Sequence, residues 1–186
     1  MEIKWIKDIQ YFEELPSTQD CALDLARQGA EEGILIIAER QTQARGRKTR
    51  DWFSPQGGLW FSLILRPKIA PFNATKLNLC IGLAVVEAVK EIAGISAVLK
   101  WPNDIYFKEK KLGGILIDTE TGTDFLKFAV AGVGLNTNVK LDDFPQELRQ
   151  LATSIMSETD RPVDNLAIVE KILENYKMEQ KRILNM

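Results

Sequence analysis

Apolar runs alternate along the chain with polar, glycine-bearing stretches, and the period of each run indicates its element. Residues 34–38, Ile-Leu-Ile-Ile-Ala, form an unbroken apolar run opened by Gly33, and residues 59–65, Leu-Trp-Phe-Ser-Leu-Ile-Leu, form a second that Pro67 stops. Runs this short, apolar on both alternations, predict strands buried on both faces. Residues 73–93 instead place Leu77, Ile81, Ala84, Val85 and Ala88 on one face at helical spacing, with Gly94 suited to the C-terminal cap. A shorter helix is predicted over 19–28, with Ser17 or Thr18 as N-cap, Asp20 in the first turn and Gly29 at the end. A last amphipathic helix is predicted over 164–184, with Leu166, Val169, Leu173 and Tyr176 inward.

The remaining runs read as strands: 97–100, the pair 105–107 and 114–117 flanking a turn at 108–111, and 125–132. Residues 40–51 are polar and basic and read as a loop long enough to be functional. Strands outnumber helices and hairpins are mixed with helices. The predicted class is therefore α+β rather than a regular βαβ array, in one domain over 1–186.

Composition adds exclusions. The 186 residues contain no histidine. Ser-His-Asp and Cys-His catalysis and most zinc sites are thereby removed, leaving lysine, arginine, carboxylates, amides and backbone to do any chemistry. A net charge of -2 argues against a dedicated nucleic-acid binder. Met1-Glu2-Ile3-Lys4-Trp5 has no signal-peptide pattern and no apolar run approaches ~18 residues, so a cytoplasmic protein without a membrane span is expected. Cys21 and Cys80 both fall in predicted helices and read as unpaired thiols.

Five segments could carry chemistry. Residues 41–52, Gln-Thr-Gln-Ala-Arg-Gly-Arg-Lys-Thr-Arg-Asp-Trp, set arginines around Gly46 and end on Trp52. Arginine forks suit phosphate and carboxylate oxygens, and an indole offers a stacking face, although a solvated basic loop has the same composition. Ser54-Pro55-Gln56-Gly57-Gly58 reads as a tight turn before a strand. Lys100-Trp101-Pro102-Asn103-Asp104 groups two charges, an amide and an indole at a turn; Asp104 could hold magnesium or pin a basic side chain. Lys111 precedes Gly113-Gly114 at the head of a strand, whereas Lys108 and Lys110 read as surface hairpin lysines. Residues 132–136, Gly-Val-Gly-Leu-Asn, lack the third glycine and following helix of a dinucleotide fingerprint, but leave Asn136 at a strand end as a base or ribose contact.

Taken in order, these segments resemble the biotin–protein ligases over residues 5–180. The resemblance rests on Ser17-Thr18-Gln19, residues 41–47, Trp52, Ser54-Pro55, residues 100–104, 111–116 and 132–136, and Ala152-Thr153-Ser154 followed by Val163-Asp164. Gln19 stands where the family usually has Asn, and Ala44 and Thr49 stand where it has glycines. The resemblance implies a mixed sheet with helices packed mainly on one face, as in class II synthetases and biotin–lipoate ligases. It further implies ATP-dependent formation of biotinyl-5'-AMP and transfer of biotin to a lysine of a biotin carboxyl carrier protein, with Mg²⁺ accompanying ATP. It assigns catalysis to Lys111, Arg47 and Arg45. Biotin contacts fall to Ser17, Thr18, Gln19, Gln41, Arg45, Gly46, Arg47, Lys111 and Gly114. Nucleotide contacts fall to Arg47, Trp52, Asn103, Lys111 and Asn136; no metal ligand is assigned, Asp104 being a candidate through the Mg²⁺ of ATP. Loop 40–51 would be mobile when empty and close over ligand. Neither an N-terminal DNA-binding domain nor the usual C-terminal SH3-like barrel is expected within the chain, and family members are often homodimers through a sheet edge. A lipoate–protein ligase, or a domain that binds biotin or its adenylate without efficient transfer, are the other readings.

Overall fold

The computed structural model describes residues 3–184, except for the side chain of Thr49. The reading of Met1 and Glu2, and that of the Thr49 side chain, lie outside the described residues. In chain order the elements are β1 (Asp8–Leu15), α1 (Thr18–Arg27), β2 (Ile34–Gln41), β3 (Leu59–Leu65), α2 (Ala74–Ala93), β4 (Val98–Lys100), β5 (Asp104–Phe107), β6 (Lys110–Thr121), β7 (Leu126–Leu135), α3 (Ile155–Thr159) and α4 (Asn165–Leu184). Seven strands form one sheet in the order β1-β2-β3-β7-β6-β5-β4. Only β1 and β2 are parallel; every other neighbouring pair is antiparallel.

Alternation along the central strands sorts the core into two faces. Leu35 and Ile37, Phe61 and Leu63, and Ala129, Ala131 and Val133 point to one face, where α2 and α4 pack against the sheet and each other. Ile36, Ile64, Phe128 and Val130 point to the other, where α1 lies with Ala22, Leu23 and Ala26. The expected one-sided packing thus holds for the two long helices, and α1 takes the opposite face. By length and composition the helical stretch Pro71–Ala93 is apolar enough to cross a membrane, but its inward face is spent on the sheet and α4.

Some predicted boundaries move. β1 was not predicted: it is a charged edge strand, Asp-Ile-Gln-Tyr-Phe-Glu-Glu-Leu, with no apolar run to announce it. β2 continues to Gln41 and β7 to Leu135, and the hairpin turn shrinks to Lys108 and Glu109, with Lys108 at φ 51. Leu166 is 52% exposed rather than inward, because it borders an open cleft shared with Tyr11, Ala38 and Leu59. The inward face of α4 starts at Ile168 and runs through Val169, Ile172, Leu173 and Tyr176.

The short helix α1 is fastened at both ends. The Ser17 hydroxyl accepts from the Asp20 amide at 3.2 Å, satisfying one of the orphan donors of the first turn. At the other end the Arg66 guanidinium donates to the carbonyls of Ala26 (2.9 Å), Ala30 (2.8 and 2.9 Å) and Lys127 (3.0 Å). A cation there also meets the negative end of the helix dipole. Arg66→Ala strands several carbonyls at once, so an expected loss of about 2–3 kcal/mol follows, read as a lower urea midpoint at unchanged m.

Candidate active-site cleft

The α1 face of the sheet opens into a cleft walled by α1, the arginine loop and the ends of β5 and β6. Its floor consists of alternate residues of β3, β7 and β6: Ser62, Gly132, Gly134, Gly114 and Leu116. Gly114 pairs with Gly134 and Leu116 with Gly132. The glycines matter because of what lies on them. A Cβ at Gly134 would come within 2.5 Å of the Trp52 indole nitrogen, and one at Gly132 would collide with the Gln19 carbonyl oxygen.

Lys111 reaches this floor through a bulge. In the β5–β6 pair, Ile105 faces Gly113 but Tyr106 faces Lys111, so Leu112 is extra. One inserted residue reverses the alternation. Leu112 and Ile115 both enter the core, while Lys111, Gly114 and Leu116 all line the cleft.

One end of the cleft is polar and largely buried. The Gln41 carbonyl oxygen accepts from the Thr18 backbone amide at 2.8 Å and lies 3.1 Å from the Thr18 hydroxyl, while its amino group donates to Ser54 at 3.0 Å. The Thr18 hydroxyl is 2.9 Å from that of Ser62, which lies 3.0 Å from the Gln19 carbonyl oxygen. The Gln19 amino group donates to Asp118 at 3.0 Å and to the Val130 carbonyl at 3.1 Å. Both amides are therefore oriented by partners that accept only one answer. Between them run three oxygen–oxygen approaches but only two hydroxyl protons. The string is one donor short.

The other end is cationic. The Lys111 ammonium pairs with Asp104 at 2.7 Å and stands 5.1 Å over the Trp52 ring. Arg47 donates to the Asn103 carbonyl oxygen at 2.8 Å, and the Asn103 amino group is tied to the Ile115 carbonyl at 3.2 Å. Arg45 is gripped by Asp20 (2.9 Å) and Asp118 (2.8 Å). Burial disfavours the Arg45 cation, but these two carboxylates outweigh it and raise its pKa above the ordinary value. Asp104 is the only carboxylate among the described lining residues, and no group of three or more metal-binding side chains occurs among the described residues.

The arginine loop folds back on itself. Bridges join Gln41 to Ser54 and Arg45 to Asp51, and the Trp52 amide donates to the Ala44 carbonyl at 2.9 Å. Ala44 is buried and has no positive φ, so its methyl group is accommodated without backbone strain. Gly46 is not in a left-handed conformation either, and a Cβ there would meet only the Arg50 carbonyl at 3.4 Å. Nothing within the loop itself demands glycine at that position.

Ser17, Thr18, Gln19, Gln41, Arg45, Gly46, Arg47, Trp52, Asn103, Asp104, Lys111 and Gly114 are thus brought together as the sequence reading expected. Asn136 is not. It is buried and does not line the cleft: its side-chain amino group donates to the Thr153 carbonyl at 3.0 Å, and its backbone carbonyl accepts from the Ile155 amide at 2.9 Å. It braces the segment at 151–155, which in turn bonds both backbone groups of Lys111, at 2.8 Å to Leu151 and 2.9 Å to Thr153. Two polar residues went unpredicted: Ser62 in the cleft floor and Asp118 beside it. Ser62 is the lone polar residue of β3, which was the available signal, whereas Asp118 opens the polar half of β6 (Asp-Thr-Glu-Thr) and nothing local marks it.

The model of the biotin/lipoate A/B protein ligase family matches residues 11–136. The bifunctional ligase/repressor BirA of Bacillus subtilis (strain 168) is 41% identical over 164 residues, 88% of this chain and 50% of that protein. The biotin–[acetyl-CoA-carboxylase] ligase of Mycobacterium tuberculosis is 33% identical over 167 residues, 87% of this chain and 59% of its own length. The chain thus spans about half the length of its Bacillus relative. The structure of a biotin protein ligase from Aquifex aeolicus in complex with biotin and ATP superposes with a TM-score of 0.81 at 36% identity, covering 95% of this chain and 72% of that one. Because the matched stretch contains both ends of the cleft and its glycine floor, the chain belongs to the biotin/lipoate A/B protein ligase family.

Proposed function

We propose that the chain activates biotin with ATP and passes it to a lysine of a biotin carboxyl carrier protein. The observation that carries this reading is the division of one cleft into a donor-hungry polar end and a cationic end. A cyclic urea offers two N–H donors and a carbonyl to the first. A carboxylate and a phosphate, which repel each other, need the second. The dithiolane of lipoate carries no hydrogen-bond donor and would leave the polar end unsatisfied, which favours biotin over lipoate.

In the first step a biotin carboxylate oxygen attacks the α-phosphorus of ATP, and the bond to pyrophosphate breaks. Lys111 stands where the two anions converge, and Arg47 draws off charge on the pyrophosphate side. Trp52 supplies the flat wall for adenine, and Asn103 a contact to the nucleotide. Arg45 and Gly46 close the loop over biotin and exclude water from the mixed anhydride. In the second step the acceptor amine attacks the acyl carbonyl, loses a proton and expels AMP. Magnesium travels with the ATP phosphates and their waters; a single carboxylate, Asp104, fits a supporting contact and not a dedicated metal cage. A cytoplasmic location and a homodimer joined through a sheet edge belong to the same reading, as does the lack of a nucleic-acid partner, consistent with the charge of -2.

Calorimetric titration with biotin, lipoate as control, followed by a pyrophosphate-release assay with ATP–Mg²⁺, tests the proposal. Biotin binding with pyrophosphate release and labelling of a carrier domain is the expected result. Release without labelling would mark a domain that retains the adenylate, and no affinity for biotin would end the proposal. Thr18→Val, which removes one hydroxyl of the string at nearly constant volume, is expected to weaken biotin by about tenfold or more.

A further inference from the structure

Asp118 stands outside the cleft, yet both halves of the cleft end on it. It sits on β6 opposite Val130 of β7. One of its carboxylate oxygens accepts from Gln19 at 3.0 Å and from Arg45 at 2.8 Å. Gln19 belongs to α1 and presents its carbonyl to Ser62 in the floor. Arg45 belongs to the loop that roofs the same space, and its second partner, Asp20, is again on α1. A single anionic oxygen therefore joins floor, helix and roof.

We propose that Asp118 is a positioning residue that latches the arginine loop over the cleft and holds the Gln19 amide in register with the hydroxyls of its polar end. Two features support this. A carboxylate only accepts, so it admits Gln19 by its amino group alone and leaves the carbonyl for Ser62. Charge-assisted bonds are roughly twice as strong as neutral ones, and here the same charge serves both donors. The residue also accounts for glutamine at position 19. Its side chain is long enough to cross Gly132, where any Cβ would collide with it, and reach the Asp118–Val130 pair. The latch stands on the geometry alone; its consequence for biotin rests on the ligase reading above.

Trypsin tests the latch without any ligand, because the loop offers four cleavage sites, after Arg45, Arg47, Lys48 and Arg50. In Asp118→Asn, cleavage at 45–50 is expected to accelerate on the order of tenfold, with cleavage elsewhere and Tm unchanged. Asp118→Glu retains the charge and is expected to restore most of the protection. In the same Asn variant, biotin binding by calorimetry is expected to weaken by about tenfold, again recovered in part by Glu. Loop cleavage no faster than in the wild type overturns the proposal. So does uniform acceleration at all sites with a lowered Tm, which marks a general structural role. If the wild type fails to bind biotin, the ligase reading falls while the protease result still decides the latch.

Discussion

Lys111→Ala is expected to lower the single-turnover rate of pyrophosphate release by about 10²–10³-fold, the usual loss when one preorganised charge-stabilising group is removed. The bulge at Leu112 turns this side chain into the cleft, and the Leu151–Thr153 segment bonds its backbone on both sides. Asp104 at 2.7 Å holds the ammonium ready without burying it, the two side chains being 30% and 32% exposed. A pair still about a third exposed contributes at most about 1 kcal/mol to folding, so Tm should barely move while the rate collapses. Asp104→Asn frees the ammonium but keeps its position on the strand, and a smaller loss is expected there. An undiminished rate in Lys111→Ala would remove the lysine from the chemistry and shift the burden to Arg47.

Trp60→Ala is expected to destabilise the fold by about 3–5 kcal/mol, read as a shift of the urea midpoint. Trp60 is fully buried in a satellite cluster with Val139, Phe144 and Ala152, and its indole nitrogen donates to the Pro55 carbonyl at 2.8 Å. Its effect extends to the cleft, because Trp52 meets it edge to face at 6.4 Å. Removing Trp60 takes away the support on one side of the Trp52 wall. Nucleotide affinity should therefore fall in Trp60→Ala even at temperatures where the variant remains folded. Trp60→Phe keeps most of the volume and loses the hydrogen bond, and an intermediate loss of about 1–2 kcal/mol is expected.

Legibility followed the strength of local signals. The span Leu59–Leu65 was readable to the residue, because the run is too short for a buried helix and is bounded by Gly57-Gly58 before it and Pro67 after it. Residues 73–93 were equally plain, down to Gly94 with φ 71 at the cap. β1 was hidden because an edge strand beside one parallel neighbour needs no apolar face, only backbone partners supplied by residues 26 positions away. Leu166 shares a helical face with Val169 and Leu173, but that an open cleft lies under it is a fact of three dimensions.

The site divides in the same way. By itself the sequence determined which residue types were available: no histidine, a cluster of cations, a glycine-rich pair of strands and ordered motifs that the fold gathers around one cleft. It also determined the family, since those motifs lie in the stretch that defines it. Only the tertiary structure decided the direction of Lys111, because a bulge depends on register against β5 and leaves no mark in the composition of β6. It also moved Asn136 from the cleft wall to a brace behind it, and made Ser62 and Asp118 part of the site. The physical reason is common to all four. A polar side chain takes its role from the donors and acceptors that reach it, and here those come from strands, a helix and a loop far apart in the chain.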